Sequence, residues 1–77
     1  MNYALWDTET NNMVADFDNE RDALALVRHA MQRNGEHDVD TLALDVEDEH
    51  GEVRLIAYGH ALGELAHRDS SPRRQAG

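Results

Sequence analysis

Five histidines stand among sixteen Asp and Glu residues in this chain, the residue types that ligate transition metals or share protons in acid–base catalysis. Their spacing argues against either use. His60 and His67 are seven apart, so on a helix they share a face but sit about two turns, roughly 10 Å, from each other. No His-Glu-x-x-His or comparable pair occurs. His37 falls in a loop with Asp38 and Asp40, and His50 falls in an acidic turn. These four residues carry the alternative reading, a small-ligand or metal-binding domain. The leading expectation is solvated surface histidines, with no metal site and no cofactor.

Other chemistry fares no better. Asp16-Phe17-Asp18-Asn19-Glu20-Arg21-Asp22 begins like a calcium loop, but Arg21 stands where the glycine belongs and Val27 where the terminal glutamate belongs. Capping of a following helix explains the same carboxylates. The cluster Asp45, Glu47, Asp48, Glu49 and Glu52 reads as a charged, solvated turn. There is no cysteine, and the two serines, Ser70 and Ser71, lie near the C-terminus. Neither a nucleophile elbow nor a glycine-rich phosphate loop is present. The chain is expected not to be an enzyme.

Bulk charge points to a class of partner. Sixteen acidic residues oppose seven basic ones, all arginine, for a net charge of −9. Such a surface repels nucleic-acid phosphates and favours encounter with a basic protein surface. Direct nucleic-acid binding is therefore not expected, and Arg73 and Arg74 add little to change that. No apolar run approaches the ~18 residues of a spanning helix, and the first residues do not read as a signal peptide. The expected location is cytoplasmic, without membrane contact.

Seventy-seven residues suit one domain, expected over 1–68 with a disordered tail over 69–77. Segments 3–7 and 13–17 are rich in aromatic and branched residues. The Asn11-Asn12 pair between them tolerates a left-handed turn, which predicts a hairpin. Asp18 or Asn19 can cap a helix whose apolar stripe runs through Ala23, Leu24, Val27, Ala30 and Met31, stopped by Asn34-Gly35. A loop over 35–39 follows. Leu42, Leu44 and Val46 then alternate with Ala43, Asp45 and Glu47 as a half-buried strand, which returns over 53–58. A short helix over 61–67 contains Gly63, which costs ~1 kcal/mol relative to alanine and must be held by packing. Sliding the chain by 38 positions brings Asp7 onto Asp45 and Leu24 onto Leu62, mild support for two hairpins sharing a sheet. The prediction is an α+β fold of order ββαββα, a four-stranded, mainly antiparallel sheet with one long and one short helix on one face.

Alternation along strands then assigns the faces. With Leu5, Met13, Ala15, Phe17, Leu42, Leu44, Val46, Val53, Leu55 and Ala57 beneath the helices, the other face displays Ala4, Trp6, Val14, Asp16, Ala43, Asp45, Arg54, Ile56 and Tyr58. The competing orientation puts Trp6 inside and Leu5 outside. An apolar cluster rimmed by charge is the usual form of an interaction surface. Trp6, Val14, Arg54, Ile56 and Tyr58 are therefore the candidate partner-binding residues, on a face where a second copy, as a homodimer, or a basic protein would dock.

The element order, a hairpin followed by a helix and more strand, resembles the layout of HicB-like antitoxins, small proteins that occlude basic toxins. The glycine-rich segment of those proteins is absent, because Phe17 runs straight into Asp18-Asn19-Glu20. What the resemblance implies is an inhibitor or regulator, an antitoxin-like interaction module.

Overall fold

The first hairpin pairs β1 (Asn2–Asp7) with β2 (Asn12–Phe17). Asn11 supplies the left-handed backbone the reversal needs, at φ 60°. In this computed structural model, which describes residues 1–69, the chain leaves β2 directly into α1 (Glu20–Asn34). Asn19 caps that helix: its side-chain oxygen accepts from the Asp22 N–H at 2.9 Å. Glu20 and Asp22 place negative charge in the first turn, and Ala23, Leu24, Val27 and Met31 form its buried stripe. Gly35 ends it at φ 103°, donating its N–H to the Met31 carbonyl.

The segment expected as a loop after Gly35 is a 3-10 helix over Glu36–Thr41. Winding the chain here turns Val39, the one apolar side chain among Glu36, His37, Asp38, Val39, Asp40 and Thr41, into the core at 3% exposure. Strands β3 (Leu42–Glu47) and β4 (Val53–Tyr58) form the second hairpin. Gly59, at φ 64°, then opens α2 (His60–Asp69), two residues longer at its end than the pattern suggested. Of the expected tail, Asp69 belongs to α2, and 70–77 lie outside the described residues. A Cβ added at Gly63 would meet Met31 Sδ and Val39 Cγ1 at 3.2 Å each, so the glycine lets α2 approach α1 and the 3-10 helix closely.

The sheet order is β2-β1-β3-β4, antiparallel throughout. The two hairpins join through their first strands, with Leu5 directly opposite Leu44. Leu5, Leu42 and Leu44 from one face pack with Ala23, Leu24, Val27, Met31, Val39, Leu62 and Ala66 as the buried core, with Phe17, Tyr3 and Ala57 at its margin. Arg28 ties the helices together, donating to the Ala66 carbonyl at 3.4 Å and lying 3.9 Å from Asp69. The α+β fold, its element order and the placing of both helices on one face agree with the sequence reading. Slid by 38 positions, Leu5 meets Ala43, which lies on the other face of the sheet.

Candidate functional site

Both hairpins slip by one residue beside the Leu5–Leu44 pair. On one side Leu5 pairs with Ala15 and Trp6 with Met13, which leaves Val14 as the extra residue of a β-bulge. On the other, Leu44 pairs with Ala57 and Asp45 with Leu55, which leaves Ile56 extra. Directly paired residues share a face, so each bulge reverses the phase of its outer strand towards the turn.

This reversal corrects the expected faces. Leu5, 1% exposed, is inside and the partly buried Trp6, paired with Ala43, is on the helix-free face, which decides between the two orientations of the first hairpin. Tyr58, paired with Ala43, is on the helix-free face as well. Ile56 is not: it is the bulge residue and packs against the core. Arg54 pairs with Val46 and so lies on the helix side of the sheet. Val14 is unpaired in its bulge and half exposed. In their place Met13, Val53 and Leu55 join the helix-free face, the last two more than half exposed at 63% and 60%. Every misplaced residue is a bulge residue or lies between a bulge and its turn. No sequence cue marks either bulge, because Met13, Val14 and Ala15, like Leu55, Ile56 and Ala57, are apolar on both phases.

The open face is thus built in rows across the strands. Met13, Trp6, Ala43 and Tyr58 form one; Asp16, Ala4, Asp45 and Leu55 form the next; Asn2, Glu47 and Val53 lie beyond. Ala4 is only 6% exposed although no helix covers it and it stands outside the helix-side core. Its cover comes from its own face, where Trp6, two residues along the strand, is the largest side chain.

Asp45 is the unusual group here. Burial raises its carboxyl above the ordinary aspartate value, the Trp6 indole N–H beside it offsets part of that rise, and the charge of Glu47 adds to it. The Trp6 Nε1 is itself buried and closes no hydrogen bond of good geometry. The indole is therefore turned towards Asp45 without capturing it. Among the described residues no arginine shares this face: Arg21, Arg28 and Arg33 are on α1, Arg68 is on α2, and Arg54 lies on the far side of β4.

The histidine cluster does not assemble. His37 Nδ1 is 3.2 Å from Asp40, and His60 Nε2 is 3.3 Å from Glu64, both on the exposed surface. His50 lies in the β3–β4 turn, a strand length of roughly 15–20 Å from the His37 end of β3. Asp48, the other polar centre of that turn, accepts from the His50 and Glu52 N–H groups at 2.8 and 3.0 Å, which is turn-building. No group of three His, Asp or Glu side chains suited to a metal ion exists among the described residues. One hollow of about 180 Å³ lies between Met1, Val46, Asp48 and Arg54, and another of about 40 Å³ lies beside Gly63 and His67. Both fall below the ~300 Å³ at which small-molecule sites begin. Among the described residues no helix is long and apolar enough to cross a membrane. No protein-family model, curated protein or solved structure matches the chain.

Proposed function

We propose that this protein is a non-catalytic interaction module that engages a basic protein through the helix-free face of its sheet. The observation that carries the reading is the row Met13, Trp6, Ala43 and Tyr58, which no helix covers, with Leu55 and Val53 beside it, among the carboxylates Asp16, Asp45 and Glu47 and with no arginine on the face among the described residues. Apolar anchors ringed by one sign of charge suit a partner of opposite sign. The net charge of −9 steers such a partner from a distance.

The same charges weigh against a second copy as occupant. A two-fold contact over this face would bury two sets of Asp16, Asp45 and Glu47 together, and burying like charges is costly. Strand addition at an edge is also blunted, because both edge strands, β2 and β4, carry a bulge. An inhibitory role, with this face occluding a basic protein's working surface, is the concrete form of the proposal and accords with the antitoxin-like layout.

The test uses a synthetic amphipathic helix of alternating arginine and leucine turns as probe, followed by amide and methyl NMR. Saturable shifts centred on Met13, Leu55, Val53 and the Trp6 indole support the reading. Shifts centred on α1 and α2, or no saturation, overturn it. Light scattering on the free protein is expected to give a monomer; a dimer that Leu55→Arg splits would assign the face to a second copy and overturn the basic partner.

A further inference from the structure

We infer that Asp45, with Trp6 and Tyr58 on either side, is the seat for one arginine side chain of the basic partner. The inference rests on the docking reading above and adds to it the group that the face recognises.

Trp6, Ala43 and Tyr58 stand in one row on three neighbouring strands, β1, β3 and β4. Strands lie about 4.8 Å apart, so the two aromatic residues spring from backbone roughly 10 Å apart, with only the Ala43 methyl between them. Asp45 is the next residue of β3 on this face, about 7 Å along the strand. A flat cation lying over Ala43 would have an aromatic ring to each side and a carboxylate at its end.

The carboxylate has capacity to spare. An ionised aspartate offers about four lone-pair positions. Asp45 has the Trp6 indole beside it as a loose donor, and among the described residues no arginine of its own chain is on the face. Its partial burial penalises the ionised form, a penalty that a docked cation would offset.

Among cations, a guanidinium fits better than an ammonium. It is planar, stacks on aromatic faces, sheds water more readily and meets a carboxylate with two parallel N–H donors. An ammonium would take the charge but leave the aromatic walls unused.

Trp6 is the sole tryptophan, so its emission reports the seat directly. The full chain is titrated with three versions of the amphipathic helix, bearing arginine, lysine or the neutral isostere citrulline. The expected result is saturable binding of the arginine version, with at least about tenfold weaker binding of the other two, a factor easily within reach of one charge-assisted pair. Asp45→Asn is expected to weaken the arginine version about tenfold or more. Glu64→Gln, which removes the same charge from α2, is expected to leave it unchanged, and thermal melts confirm that both variants fold. If Asp45→Asn binds like the parent while Leu55→Arg abolishes binding, the seat is wrong and the docking face stands. If neither substitution changes binding, the docking face falls with it. Equal binding of the arginine and lysine versions overturns the guanidinium assignment.

Discussion

Leu5 and Leu44 face each other across the central strand pair, and one step beyond them on each side a hairpin slips by a residue. The pair is at most 1% exposed. It marks where the two ββα units meet, and the slips beside it decide which side chains of the outer strands reach the core and which remain outside.

The register makes a direct prediction about leucines. Leu44→Ala is expected to cost about 2–5 kcal/mol, as for other fully buried leucines, whereas Leu55→Ala is expected to stay within about 0.5 kcal/mol. Urea unfolding of both variants measures the contrast. Similar large losses for both would place Leu55 in the core and remove the β4 bulge.

Asp45 is expected to weaken the fold it sits in. Its folded pKa lies above the ordinary value of 3.8, so the native state holds this proton more tightly than the unfolded chain does. As pH rises from below 3.8 through the folded value, the native state loses stability from this group. Asp45→Asn should therefore melt higher than the parent at neutral pH, with the gain fading below the ordinary aspartate value. A variant that melts lower at neutral pH contradicts the burial argument.

Gly63 tests the close approach of α2. Valine there would press a branched side chain against Met31 and Val39, whose atoms already lie 3.2 Å from an added Cβ. A loss of about 1–3 kcal/mol is expected from this overpacking. Gly63→Ala sets a helix-propensity gain of up to ~1 kcal/mol against milder crowding and should change stability little. Chemical denaturation of the two variants is the check, and a stable Gly63→Val would show that the helices have room to part.

Asn19→Ala removes the acceptor of the Asp22 N–H and is expected to destabilise by about 1 kcal/mol. Asn19→Asp keeps an acceptor and adds charge at the favourable end of the helix, but it replaces the amide that donates to Asp22 Oδ2 at 3.2 Å with a second carboxylate, so it should restore only part of that loss. A melt in which alanine and asparagine are equal would mean the cap contributes nothing.

Much of this architecture is written locally. The Asn11 turn, the Asn19 cap, the Gly35 stop and the apolar stripe of α1 each follow from neighbours a few residues away, and they are enough to order the elements ββαββα. In β3 the alternation of Leu42, Leu44 and Val46 with Ala43, Asp45 and Glu47 admits one phase only, and its faces were legible. The outer strands were not. Met13-Val14-Ala15 and Leu55-Ile56-Ala57 present apolar residues on both phases, so periodicity accepts either register, and only pairing against β1 and β3 with the core to be filled places Ile56 inward and Leu55 outward. The burial of Val39 and the tight space around Gly63 likewise arise from the packing of α1, α2 and the 3-10 helix on one another, which no local pattern encodes. Short-range hydrogen bonding and periodicity act within a few residues and so are readable in sequence. The surface this protein presents depends on a one-residue slip whose energy lies in contacts between strands, and the folded sheet alone selects it.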